Sequence, residues 1–175
     1  MAPADVLKYC PRCGASGLTA QAAHHLVCGA CGFHWYINSA AAAACFIFDP
    51  AGRVLLIRRQ RDPGKGRLAP PGGFIDLGET AENGIRREVR EETGLVLDTV
   101  TFMCSQPNSY LYADYAYPVL DLFFTAHVAD VSAAVSGEDV AGLEFPAIAA
   151  VDAAELAFPS MQRAWQQLRG EVRGA

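Results

Sequence analysis

A chain of 175 residues that is 51% hydrophobic and 19% charged carries enough apolar material for one or two packed cores and too much for a disordered tail. Its formal net charge of −5 argues against broad, nonspecific attraction to polyphosphate backbones or anionic lipid, so a cation has to assist wherever phosphates bind. The longest apolar run, Ala40 to Phe48, is about half of the roughly 18–20 residues a membrane-spanning helix needs, and Met1 to Asp5 shows neither the basic start nor the apolar stretch of an export signal. The expected location is the cytoplasm.

In chain order, the first feature is a pair of tight cysteine pairs, Cys10/Cys13 and Cys28/Cys31, separated by fourteen residues. Without an export signal, this spacing points to metal before disulfides. Gly14, Gly29 and Gly32 permit the turns that aim the sulfurs at one ion, and four thiolates suit a closed, structural Zn²⁺ site, with a redox pair or disulfides as the alternatives. A segment of this length buries too little to be stable without such a staple. His24, His25 and His34 read as surface or packing residues, and Phe33, Trp35 and Tyr36 as rings that pack this segment against the rest. Composition shifts near Asn38 and Ser39, which divides the chain into 1–38 and 39–175.

The larger part reads as mixed strand and helix. Cys45–Phe48 and Val54–Ile57 form two strands joined by the turn Asp49-Pro50-Ala51-Gly52. Glycine and proline dominate from Asp62 to Gly78, which predicts a long structured loop. A helix over Thr80 to Thr93 follows, with Thr80 as its cap, Glu82 at the positive end of its dipole and Gly94 closing it. Further strands are expected around Val100–Cys104 and Val119–Val128, with Cys45 and Cys104 as inert core residues. Met161, Ala164, Trp165 and Leu168 predict a closing amphipathic helix after Pro159.

The helix at 80–93 has an unusual arrangement of charge. At about 100° per residue, Glu88, Glu91 and Glu92 share an arc of roughly 100°, and that arc overlaps the one on which Ala81, Ile85 and Val89 should face the core. Arg86, Arg87, Arg90 and Glu82 fall on the opposite, solvent side. Gly84 lies one turn before Glu88, leaving space above the carboxylates at a helix-propensity cost of about 1 kcal/mol. Partly desolvated like charges repel strongly, so a positive group belongs between them, and hard oxygen donors suit Mg²⁺ or Mn²⁺ completed by substrate phosphates.

Gly73, five residues, Glu79, seven residues, then Arg87-Glu88-Val89-Arg90-Glu91-Glu92-Thr93-Gly94-Leu95 resembles the Nudix box of the Nudix hydrolase family at every defining position. The resemblance implies an α/β/α sandwich with a mixed sheet; the cysteine pairs before it are read as a small zinc ribbon. It also implies hydrolysis of a nucleoside diphosphate linked to another group. It assigns metal binding to Glu88, Glu91 and Glu92 with the carbonyl of Gly73, and an ion pair between Glu79 and Arg87 that braces the loop against the helix. Glu92, then Glu88, is the favoured proton acceptor, with Glu91 completing the catalytic set. A ribbon directly before such a domain is similar to NADH pyrophosphatases and some plant hydrolases of FAD and ADP-ribose. Glu138 resembles the acidic position, after the last strands, that adds a metal ligand in the NADH group.

For the substrate, Ser105-Gln106-Pro107 matches the start of the NADH pyrophosphatase array, which then departs into Asn108-Ser109-Tyr110, and a strand-ending turn accounts equally for Pro107. Gln106 and Tyr110 are candidate substrate contacts. Tyr110, Tyr112, Tyr115 and Tyr117 also fit a half-buried strand or hairpin, the favoured reading. Arg58, Arg59 and Arg61 lie at a strand end, and at least one, with Arg58 first, is expected to meet a phosphate. The expected partner is a nucleotide-type small molecule, with no membrane, nucleic acid disfavoured, and a homodimer left open. Two alternatives stand: sanitising hydrolysis of oxidised nucleoside triphosphates, or an RNA-binding or regulatory protein that uses the ribbon. The latter suffers from the few basic residues there, such as Lys8 and Arg12.

Overall fold

A computed structural model describes residues 6–174; the segment Met1 to Asp5, on which the reading of the export signal rests, lies outside the described residues. The chain divides into two compact units, one of residues 1–40 and 109–119, the other of residues 41–108 and 120–175.

In the first unit, β1 (Leu18–Ala22), β2 (His25–Cys28) and β3 (His34–Tyr36) form a small antiparallel sheet in that order. So little chain buries only a few side chains, chiefly Leu26, Cys10 and Cys28. The unit also takes in residues 109–119, the tip of a hairpin whose strands belong mainly to the other unit. That association arises from tertiary packing between residues far apart in the chain.

The second unit is built on β4 (Ala40–Phe48), β5 (Val54–Arg59), β6 (Leu68–Ala69), β7 (Gly72–Phe74), β8 (Thr101–Tyr112), β9 (Tyr115–His127) and β10 (Val140–Glu144). The helices are α1 (Ala81–Thr93) and α2 (Pro159–Gly174). The main path of the sheet runs β10-β5-β4-β9-β8, with β6 on β5 and β7 on β4. β4 and β5 are antiparallel, whereas the 3.0 Å bond from Val128 N–H to the Phe48 carbonyl joins the C-terminal ends of β4 and β9 and sets them running the same way. The sheet is mixed.

Alternation along β4 assigns its two faces. Cys45 and Ile47 join Leu55, Phe124 and, from α1, Ile85 and Val89 in one core cluster. Phe46 points the other way, with its ring 5.5 Å from that of Trp165 on α2 and 5.9 Å from Phe123. One helix on each face makes the α/β/α sandwich.

Local chemistry explains the ends of α1. The Thr80 side chain accepts a bond from Asn83 N–H, and Gly94 at φ 71° closes the helix with its N–H on the Arg90 carbonyl. Asp49 holds its turn by accepting from Ala51 N–H and Arg53 N–H at 2.9 and 2.8 Å.

Three expectations are corrected. The stretch 62–78 is not all loop, because β6 and β7 pair there through backbone bonds that glycine and proline composition does not announce. The strands around 100–104 and 119–128 are halves of one long hairpin, turned by Ala113 and Asp114, both at positive φ. Pro107 therefore does not end a strand; β8 lies at the sheet edge, where a missing N–H is tolerated.

Candidate active site and cysteine cluster

The cysteine pairs sit in two turns of the same form. Gly14 N–H bonds the Cys10 carbonyl and Gly32 N–H the Cys28 carbonyl, each at 2.9 Å, with φ of 72° and 69° at the two glycines. Gly29 needs no left-handed backbone, so two of the three expected glycines carry the turns. Cys10 and Cys31 sulfurs lie 3.8 Å apart and Cys13 and Cys28 sulfurs 3.7 Å apart, and all four fall within 4.8 Å of one another. A disulfide would need about 2.05 Å. A tetrahedron with Zn–S of about 2.3 Å has edges of about 3.8 Å, so the donor set fits that ion. The Cys31 N–H draws the Cys28 thiol down to about 7. The Phe33 N–H acts likewise on Cys31, but desolvation and the neighbouring sulfurs outweigh it and push that thiol up to about 12. Four thiols this close do not all ionise without a cation.

Nearby, His25 Nε2 lies 3.0 Å from His34 Nδ1, and the His25 ring stacks on Tyr36 at 4.3 Å, so these rings pack on one another. Trp35 and Tyr36 line a groove of about 430 Å³ with Tyr115 and Tyr117 of the hairpin tip.

The second unit holds a cavity of about 390 Å³ lined by Glu88, Glu91, Glu92, Glu138 and Asp139. The three helical acids are unequally placed. Glu91 is exposed, whereas Glu88 and Glu92 are half-buried. Burial raises the pKa of Glu88, against the pull of Arg87. Burial also pushes Glu92 up to about 7, although the Gly72 N–H, at 2.8 Å from its Oε2, and Arg59 act against it.

Gly73 explains how Glu88 comes so near the backbone: a Cβ there would lie 2.6 Å from the Glu88 carboxylate. Gly84 does not leave space above the carboxylates, as its position on the helix suggested; a Cβ there would meet Glu79 Oε2 at 3.1 Å and Ile75 at 3.3 Å. The glycine makes room for the loop.

Arg87 departs from the solvent side on which simple geometry put it. It donates from Nε and Nη2 to the two oxygens of Glu79, each at 3.0 Å, from Nη2 to the Phe74 carbonyl, and from Nη1 to Glu88 at 2.8 Å and Glu91 at 3.3 Å. These bonds hold the Glu79 carboxyl below the usual range. A protein cation thus already answers part of the acid charge. Glu92 has no arginine of this kind. Half-buried Glu88 and Glu92 and exposed Glu91, beside a bare glycine backbone, offer hard oxygen donors of the chemistry that Mg²⁺ or Mn²⁺ takes; among the described residues only the four cysteines already converge as a ligand set.

The family profile of the NUDIX domain matches residues 38–168. The chain belongs to the Nudix family. Over 56 residues it is 46% identical to an ADP-ribose pyrophosphatase of Methanocaldococcus jannaschii, covering 32% of this chain and 33% of that protein. Over 102 residues it is 33% identical to the mitochondrial NAD(P)H pyrophosphatase NUDT13 of Homo sapiens, covering 58% of this chain and 28% of that one. These matches span about a third of the relatives' length. A Nudix hydrolase from Nitrosomonas europaea shares the fold, with TM-score 0.74 and 20% identity over 97% of this chain and 94% of that one. Among the described residues, no helix of this Nudix protein is long and apolar enough to cross a membrane.

Glu138 precedes β10 rather than following the last strands, and it reaches the cavity because Gly137 presses on α1: a Cβ at Gly137 would lie 2.2 Å from the Glu91 carbonyl. Asp139 escaped the sequence reading. A glycine just before two acids is the one local signal, and it is weak. Arg58 is engaged by Glu144 and by the Gly66 carbonyl, Gln106 accepts from Arg163 Nε at 2.9 Å, and neither lines the acid cavity. Tyr110 is half-buried and belongs to the hairpin tip of the first unit.

Proposed function

We propose that this Nudix protein hydrolyses the diphosphate bridge of a nucleoside diphosphate joined to another group, such as NADH, ADP-ribose or FAD, releasing a nucleoside monophosphate and a second phosphate. The observation that carries this reading is Glu92: it is desolvated, has a pKa near 7, and opens on the same cavity as Glu88, Glu91 and Glu138. The names of the two curated relatives support the substrate class.

Glu88, Glu91 and Glu92, with the Gly73 carbonyl and Glu138, would hold a divalent cation of the Mg²⁺ or Mn²⁺ kind. When bound, such an ion neutralises the diphosphate oxygens and lowers the pKa of water. Glu92 takes the proton as the water oxygen bonds to phosphorus and the bridging P–O bond breaks; the leaving phosphate departs with that bond's electron pair. The Gly72 N–H fixes the orientation of Glu92. Arg87, clamped on Glu79 and the Phe74 carbonyl, keeps the loop carrying Gly73 against α1. Residues 1–38 form the ribbon, in which Cys10, Cys13, Cys28 and Cys31 hold structural Zn²⁺, and 39–175 the hydrolase domain.

The test is a substrate panel of NADH, NAD, ADP-ribose, FAD and oxidised dGTP, assayed with Mg²⁺ and with Mn²⁺. Nucleoside monophosphate from a diphosphate-linked member supports the proposal. Pyrophosphate released from oxidised dGTP alone would replace it with the sanitising reaction.

A further inference from the structure

Four arginines surround the glycine-rich stretch after β5, and three are fastened to main-chain carbonyls. Arg58 bonds the Gly66 carbonyl as well as Glu144. Arg59 bonds the Pro63 carbonyl, with its guanidinium 5.0 Å from the centre of the Phe158 ring. Arg67 bonds the carbonyls of Ala154 and Leu156. Arg61 differs. Among the described residues its guanidinium has one partner, Asp139, at 2.7 Å, and the two side chains are 72% and 55% exposed.

Asp139 lines the acid cavity, so Arg61 stands at its rim. An ion pair this exposed is weak in water and readily exchanged. The backbone beneath it is fixed: Gln60 N–H bonds the Asp139 carbonyl at 3.3 Å, Gly137 N–H the Glu92 carbonyl at 2.9 Å, and Val140 pairs with Arg59. Exchange of partner therefore needs side-chain rotation only. A diphosphate approaching five carboxylates meets like charge, and a planar guanidinium fork with free donors is suited to bind phosphate oxygens in pairs.

We infer that Arg61 is the phosphate-reading residue of this site: with no anion bound it rests on Asp139, and when a diphosphate enters it exchanges that carboxylate for phosphate oxygens. Asp139 is the resting partner of the fork, the carboxylate that an incoming phosphate displaces. The inference deepens the proposed hydrolysis and rests on it for the identity of the anion, and it moves the phosphate contact from Arg58 to Arg61.

The test titrates ADP calorimetrically into the full chain, with and without Mg²⁺, and measures kcat and KM on the best substrate of the panel. Arg61→Ala should weaken ADP about tenfold in both conditions, with the steady-state loss falling mainly on KM. Arg61→Lys should recover part of it, since it restores the charge without the fork. Arg90→Ala, which removes the same charge from an exposed position on α1, should leave ADP affinity unchanged. Asp139→Asn should bind ADP at least as tightly as wild type, because it releases the fork. ADP affinity of Arg61→Ala within twofold of wild type overturns the inference. So does an Asp139→Asn variant weakened as much as Arg61→Ala, the mark of a merely structural pair. If the wild type hydrolyses no member of the panel, the proposed function fails and the ADP titrations alone decide the role of Arg61. A wild type that binds no ADP in either condition refutes that role as well.

Discussion

The cysteine cluster and the acid cavity both crowd groups that repel one another when ionised, yet they are built oppositely. The four sulfurs gather within 4.8 Å of one another, two of their distances close to a tetrahedral edge, on two turns that share one hydrogen-bond pattern. The carboxylates come from a helix and a distant loop, line open space, and are partly answered by Arg87 and the Gly72 N–H. A closed set of four donors leaves a cation no vacancy for substrate, which suits a fastener. An incomplete set leaves coordination positions for phosphate oxygens and water, which suits chemistry.

The comparison breaks most visibly on metal removal. Purified protein should carry about one zinc per chain, and structural zinc contributes on the order of 10 kcal/mol to folding in zinc-finger peptides. Stripping it with a strong chelator, or Cys10→Ser, should unfold the β1–β3 region. Hydrogen exchange should then rise across 10–36 and stay unchanged at Ile85 and Val89. Full retention of the fold with no metal present would reverse this assignment.

Glu92→Gln is next in size. It should lower kcat by about 10²–10⁴, the range for loss of a general base, with circular dichroism as in wild type and a melting temperature no lower than wild type at neutral pH, because a buried acid with a raised pKa has been removed. Undiminished turnover would remove Glu92 from the mechanism.

Arg87→Ala probes the protein's own counter-charge. It strands Glu79 and frees the Gly73 loop, so the melting temperature should fall by a few degrees and kcat/KM should drop, with Arg87→Lys intermediate because a point charge cannot reproduce the bidentate grip.

The last effect is in pH. Burial holds Glu92 near 7, against 4.5 for the free side chain, so the native metal-free chain retains a proton that the unfolded chain has already released. More protons bound to the native state means stability falls as pH rises between those values. Denaturation curves at pH 5, 6 and 7 should show that slope, Glu92→Gln should lose it, and Mn²⁺ should flatten it.

What could be read from the residues was mostly local. Thr80 and Gly94 fix α1 because caps act within a turn, and the two glycine turns of the cysteine pairs are equally short-range. The reach of β8 and β9 was hidden because Pro107 argues against a strand unless its edge position is known, and that position is a property of the sheet. Asp139 comes to the cavity through the close approach of Gly137 to the Glu91 carbonyl, a contact between residues far apart in the chain. Arg58, Arg59 and Arg61 are chemically alike on paper; only the carbonyls around them separate the two fastened to the main chain from Arg61, which is paired with the Asp139 carboxylate.

Because Val135 N–H bonds the Thr93 carbonyl and Gly137 N–H the Glu92 carbonyl, the last turn of α1 and the strip bearing Glu138 are stitched together. Fraying of that helix end would carry away donors from both stretches in a single event, making loss of the cavity all-or-none rather than piecemeal. The amides of Val135 and Gly137 are therefore natural reporters of how often it comes apart.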